Sequence, residues 1–154
     1  MKPDPKTFEI KRLAEPDLPA FKSLVDLFNA VFEEDASNIG DEADLAKLLG
    51  NPRFIVLVAL AEHEVAGGLT AYELPLYYAE RSEVFLYDMA IKPDYQRMGI
   101  GRELIRRLKD QCLEKGTKQF FVLAHEEDEH AIEFYHATGG KSERVLNFLY
   151  ETSD

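Results

Sequence analysis

The chain has 154 residues, 45% of them hydrophobic and 31% charged, which fits one globular domain able to bury a core without metal or disulfides. Its 29 Asp and Glu against 18 Lys and Arg give a formal net charge of -11, which argues against nucleic-acid backbone binding and for a cationic partner. A lone cysteine, Cys112, excludes an internal disulfide framework, and the longest apolar run, Phe54 to Ala61, is strand length; a cytoplasmic protein with no membrane partner is expected.

Pro16 and Asp17 open a segment in which Leu18, Phe21, Leu24, Val25, Phe28, Val31 and Phe32 recur at helical spacing, followed by acidic Glu33, Glu34 and Asp35. Asp41 or Glu42 starts a shorter helix carrying Leu45, Leu48 and Leu49, stopped by Gly50, Asn51 and Pro52. Arg53 to Ala61, a polar turn at Glu62, His63 and Glu64, and Val65 to Leu74 read as a β-hairpin, with Gly67 and Gly68 marking a bulge or a close contact. A loop from Pro75 to Ser82 precedes a strand over Glu83 to Ile91, closed by Pro93 and Asp94. Ile100, Leu104, Ile105, Leu108 and Cys112 define the next helix, which Gly116 ends. A buried strand over Gln119 to Ala124, a helix over about Ala131 to Thr138 and a terminal strand near Val145 to Tyr150 complete a mixed α/β pattern. No repeat or linker interrupts it, so residues 1–154 read as a single domain.

The most informative stretch is the passage from the strand Glu83 to Ile91 into Gln96, Arg97, Met98, Gly99, Ile100, Gly101 and Arg102. Strand, glycine-rich turn and helix form an anion cradle. A helix start leaves four N–H groups without internal partners and carries about half a positive charge, Gly99 and Gly101 allow close approach, and Arg97 and Arg102 add charge-assisted bonds. Three other readings fail. A dinucleotide fingerprint needs glycine where Leu104 stands, and a P-loop ending in Gly140, Lys141 and Ser142 needs one where Tyr135 stands. His125 and His130 are one residue too far apart for the H-E-x-x-H zinc spacing, so no metal is expected.

The string Gln96-x-x-Gly99-x-Gly101, followed by a helix, a strand and a helix containing Ala131, Phe134, Tyr135 and Gly139, resembles the GCN5-related N-acetyltransferase superfamily. The likeness extends further: Leu74 and Pro75, then Arg81, Ser82 and Glu83, then Tyr87, Asp88 and an apolar triplet, together with Asp26, Leu27 and Phe28, are similar to type I aminoglycoside 3-N-acetyltransferases. It covers about Phe8 to Glu151. The resemblance implies a central mixed, mostly antiparallel sheet flanked by about four helices, often in a homodimer. It also implies direct transfer of acetyl from acetyl-CoA, bound as cosubstrate, to an amine.

That chemistry requires a proton to leave the ammonium, a developing oxyanion to be stabilised and a thiolate to be protonated. The resemblance assigns Tyr135 as the acid and pairs the backbone of Met89, Ala90 and Ile91 with the pantetheine arm. Asp88 matches the subfamily acid. With an Asp near pKa 3.9 and an alkyl ammonium near about 10.4, direct abstraction is uphill, which leaves open a water relay or an electrostatic anchor. His125 has a better matched pKa, although the subfamily carries an acidic residue there.

The acids flank the acceptor side implied by this fold. Asp35, Glu126 and Asp128, with Tyr77 as a wall for a sugar ring, are the candidate contacts to a cationic amine, together with His125. Two enzymatic readings stand: 3-N-acetylation of an aminoglycoside, or acetylation of a polyamine, small amine metabolite or protein amine. A coenzyme-binding module without catalysis would lack the phosphate turn or Tyr135, and both are present.

Overall fold

The computed structural model describes residues 7–33, 35–78 and 81–153, so Glu34 of the acidic stretch and two residues of the 75–82 loop lie outside the described residues. The chain divides into two compact units, one ending at Leu123 and one beginning at Ala124.

The first unit holds a five-stranded sheet in the order β1-β2-β3-β4-β5, formed by β1 (Phe8–Arg12), β2 (Phe54–Ala61), β3 (Glu64–Pro75), β4 (Ser82–Ile91) and β5 (Phe120–Val122). All pairings are antiparallel except β4 with β5. Helices α1 (Leu18–Phe32) and α2 (Glu42–Leu49) precede the β2–β3 hairpin, and α3 (Ile100–Glu114) connects β4 to β5. The second unit contains α4 (Glu129–Ala137). Among the described residues this gives the mixed, mostly antiparallel sheet and four α-helices that the family resemblance implies.

Apolar periodicity explains the packing. Phe21, Leu24, Leu27 and Phe28 of α1 form one stripe, buried with Leu49 of α2 and with Phe54, Val56 and Val58 of β2. The alternate residues Ile55, Leu57 and Ala59 are also buried, so β2 is covered on both faces and reads as a continuous apolar run. The stripe Ile100, Leu104, Ile105, Leu108 and Cys112 is buried on α3. Asp41 caps α2, accepting the Asp44 N–H at 2.9 Å while Asp44 returns a bond to the Asp41 N–H.

Three elements differ from expectation. Strand β1 was not anticipated: it is a short edge strand whose Phe8, Ile10 and Arg12 alternate with exposed Glu9 and Lys11, too charged to read as a core element. Strand β5 is three half-buried residues, shorter than the buried run expected over Gln119 to Ala124. The terminal strand expected near Val145 to Tyr150 is not formed: that stretch carries no regular structure, and Val145, Leu146, Phe148, Leu149 and Tyr150 are exposed. β-branched and aromatic residues fit a pleated surface, but only a ladder partner makes a strand, and among the described residues this segment has none.

Gly67 and Gly68 mark both a bulge and a close approach: the β2–β3 register passes from Ala59↔Gly67 to Leu60↔Val65, which leaves Ala66, next to Gly67, as the extra residue. A Cβ at Gly68 would stand 2.6 Å from the Leu57 carbonyl oxygen and 2.8 Å from Leu24 Cδ1, so α1 rests directly on the strand backbone. Gly68→Ala is therefore expected to lower the unfolding free energy by about 1–3 kcal/mol through overpacking, read from urea denaturation. An unchanged midpoint would mean that α1 does not press on β3 here.

Candidate functional site

Strand β4 organises the site through one irregularity. Its register against β3 runs Leu69↔Met89 and Thr70↔Asp88, then jumps to Ala71↔Leu86, so Tyr87 is an extra residue bulged out of the ladder. Before the bulge, Val84 and Leu86 are buried and alternate with Phe85; after it, Ala90 joins the α1 cluster against which Tyr72 also packs. An unbroken strand would point Tyr87 and Asp88 to opposite faces. Here both act on one neighbour. The Tyr87 ring is 5.7 Å from that of Tyr72, and burial, with Tyr87 and the Asp88 carboxylate, pushes the Tyr72 phenol up from its ordinary value.

The second feature is an open edge. The β4–β5 ladder ends at Leu86↔Val122, so among the described residues β4 has no strand neighbour on that side from Tyr87 to Ile91. The Lys92 N–H donates to the Ala66 carbonyl at 2.8 Å, and alternation along an antiparallel strand then turns the backbone of Ala90 toward β3 and that of Met89 and Ile91 toward the open edge. These are the three residues whose backbone the family resemblance pairs with the pantetheine arm. The Ile91 carbonyl accepts a bond from Gln96 Nε2 at 3.2 Å, tying the following turn to the strand end.

In that turn Arg97 has φ 61° and Gly99 φ 85°. Nothing lies within 4 Å of a Cβ placed on Gly99, so glycine is required by conformation, not by space. Gly99 is also the N-cap of α3 and brings no side chain to the first-turn amides at Ile100, Gly101 and Arg102. With the positive end of a fifteen-residue helix behind them, these amides favour an anion, and Arg97 and Arg102 are exposed beside them. Met98 is half-buried within the turn.

Tyr95, which the sequence reading passed over, anchors this turn. It is 4% exposed, and its hydroxyl reaches Glu62 at 3.5 Å in the β2–β3 turn, where Glu62 and His63 both have positive φ. Lys92 pairs with Glu64 at 3.4 Å in the same hairpin. Burial, then Glu64 and Glu62, push the Tyr95 phenol up to about 12.

The remaining candidates on the first unit are peripheral to β4 in chain position. Asp35 is exposed and accepts the Ser37 N–H at 2.9 Å, which holds its carboxyl below the usual range. Tyr77 is 90% exposed and lies ring to ring with Tyr78 at 4.5 Å. In the second unit, His125, Glu126 and Asp128 share one exposed turn closed by the Asp128 N–H to the His125 carbonyl at 3.0 Å. Asp128 caps α4, its Oδ1 accepting the Ala131 N–H at 3.1 Å, and Glu126 faces Arg144 at 3.9 Å. Tyr135 is half-buried on α4 with its ring 5.3 Å from Phe134, and its carbonyl accepts the Gly140 N–H at 2.8 Å.

Sequence reasoning also missed Tyr72 and Tyr87. Alternating aromatics in β3 and β4 hint at a shared face, but their meeting depends on the bulge. Among the described residues no group of three or more His, Cys, Asp or Glu is placed to hold a metal ion, and no helix is long and apolar enough to cross a membrane.

Residues 21–139 match the model of the acetyltransferase (GNAT) family. The fold is shared with an aminoglycoside acetyltransferase from an uncultured soil metagenomic sample, solved in complex with trehalose: TM-score 0.92, 42% identity, covering 96% of this chain and 98% of that one. A second soil metagenomic aminoglycoside acetyltransferase gives TM-score 0.89 and 34% identity over 96% of this chain and 99% of that one. By sequence the chain is 30% identical to the thialysine N-ε-acetyltransferase of Sus scrofa over 70% of its length and 68% of that protein's. It is 31% identical to the ribosomal protein bS18-alanine N-acetyltransferase of Escherichia coli, a match spanning 47% of this chain and about half, 49%, of that protein.

The raised Tyr95 value makes a pH prediction. Between about pH 10 and about 12 the unfolded chain releases this proton and the folded chain keeps it, so wild-type stability falls over that window. Urea unfolding of wild type and Tyr95→Phe should therefore differ less at about pH 11 than at about pH 8. A constant difference would mean that Tyr95 does not bury its proton against the hairpin acids.

Proposed function

Because the chain belongs to the acetyltransferase (GNAT) family, we propose that it carries acetyl from acetyl-CoA directly to the 3-amino group of aminoglycosides of the gentamicin and sisomicin type, conferring resistance. The observation that carries this reading is the juxtaposition on β4: Asp88 is turned by the bulge onto the α1 face, directly before an open backbone edge that leads into a glycine-rich anion cradle. A soil metagenomic neighbour, 41% identical with TM-score 0.92, is described in complex with sisomicin, which supports the acceptor class.

Acetyl-CoA supplies a thioester, an acetyl carbon open to attack with a thiolate leaving group. The first-turn amides at Ile100, Gly101 and Arg102, with Arg97, hold the pyrophosphate, while Gln96, Met98 and Gly99 shape the turn. Met89 and Ile91 present backbone to the pantetheine amides as a neighbouring strand would, and a Met89 N–H stabilises charge growing on the acetyl oxygen. Asp88 anchors the acceptor ammonium and receives its proton, directly or through water; His125 is the alternative base. The N–C bond forms, the C–S bond breaks, Tyr135 gives its proton to the departing sulfur, and the second proton that nitrogen sheds as the amide forms returns through solvent to the Tyr135 oxygen. Asp35, Tyr77, Glu126 and Asp128 are the residues assigned to contact a polycationic acceptor. Residues 1–154 act as one acetyltransferase domain in the cytoplasm. The exposed apolar run from Val145 to Tyr150 supports a homodimer.

The second reading, a polyamine, small amine metabolite or protein amine as acceptor, is favoured by the thialysine and ribosomal-protein relatives. A thiol-release assay with gentamicin, sisomicin, kanamycin, spermidine and a lysine peptide separates the two. Release with gentamicin or sisomicin, with NMR placing the acetyl group on the 3-amine, is expected; turnover of spermidine or peptide alone would move the function to the second reading. Asp88→Asn and Tyr135→Phe should each lower kcat by about 100-fold or more while CoA affinity stays near wild type. Unchanged kcat in either variant would remove that residue from the chemistry.

A further inference from the structure

We infer that Tyr87 is a stacking platform for the carbocyclic or sugar ring that bears the reacting amine, so that the site selects ring-borne amines by ring face as well as by charge; this rests on the aminoglycoside reading above. Tyr87 is 59% exposed, yet its ring is held from two sides. Tyr72 meets it edge-on at 5.7 Å and 84°, and Phe85 lies at 5.6 Å and 56°. Tyr72 is itself held by Phe54 at 5.0 Å, and Phe54 by Phe21 of α1 at 5.7 Å. A line of packed aromatic rings thus runs from the α1 core to an exposed ring beside Asp88, fixed before any ligand arrives.

Core packing does not call for this ring, which lies on the Phe85 side of the strand and is accessible there, and the bulge brings Asp88 round beside it. An aminocyclitol or amino-sugar ring has two kinds of surface. Its ammonium and hydroxyl groups radiate from the rim, and its faces carry C–H bonds polarised by the neighbouring nitrogen and oxygen atoms. An aromatic π-face attracts such polarised C–H bonds and nearby cations, while a carboxylate one residue along takes the rim ammonium. Tyr87 and Asp88 offer those two surfaces side by side, and a flexible linear amine uses only the second.

The test measures sisomicin binding by calorimetry to the full chain saturated with CoA, comparing wild type with Tyr87→Leu and Tyr87→Phe, and CoA binding to each alone. Leu keeps apolar bulk without a flat face; Phe keeps the face without the hydroxyl. Stacking predicts that Tyr87→Leu weakens sisomicin by about tenfold, that Tyr87→Phe restores affinity close to wild type, and that CoA affinity does not move in either. Equal behaviour of the two variants, whether both unchanged or both weakened, overturns the platform, as does a parallel loss of CoA binding. Wild type that fails to bind sisomicin overturns the aminoglycoside reading and the ring site with it, whereas wild type that binds while Tyr87→Leu is unaffected overturns the ring site alone.

Discussion

One extra residue in β4 sets the geometry on which the site depends. The bulge at Tyr87 shifts the strand's alternation by one, which brings Tyr87 and Asp88 to the same face and carries Ala90 into the core cluster. Parallel pairing with β5 stops at Leu86, immediately before the bulge. The strand therefore changes role at one point: upstream it is an ordinary buried ladder member, and downstream, among the described residues, it offers side chains to one face and an edge that no neighbouring strand covers.

Downstream of that edge the chain turns within a few residues into α3, and the turn is held at several points. Gln96 bonds back to Ile91, Tyr95 is buried against the acids of the β2–β3 hairpin, and the Lys92 amide completes the ladder to β3. Arg97 and Gly99 adopt left-handed conformations between these anchors. A non-glycine residue at positive φ is costly, and it persists where its surroundings fix it on both sides. The same anchors fix the turn that opens α3, whose first amides lie at the positive end of the helix.

Much of this was legible in the residues. Periodicity located α1, α2 and α3, and Asp41 or Glu42 and the stop at Gly116 marked their ends; the glycines after Gln96 suggested an anion cradle, and the longer string through Tyr135 carried the family resemblance. What could not be read was register. Nothing in the string Phe85-Leu86-Tyr87-Asp88 shows that one of its residues is unpaired, because a bulge is a property of two strands. For the same reason Tyr72 and Tyr87, separated in the chain, could not be seen to meet, and the partner of Tyr95 could not be named. The run Val145 to Tyr150 shows the opposite limit: its residues favour a strand, but propensity does not supply a partner. The second unit keeps Tyr135 on a helix, where the motif placed it, and uses Asp128 as the cap of that helix.

The most direct measurement is a crystal structure of the full chain with CoA and sisomicin bound together. The expected result has the 3-amine of sisomicin within hydrogen-bonding distance of the Asp88 carboxylate, the pantetheine arm along Met89 and Ile91, and the pyrophosphate on the amides that open α3. A pantetheine arm that leaves the β4 edge unpaired, or an acceptor amine held away from Asp88 by other groups, would contradict the central role of the bulged strand.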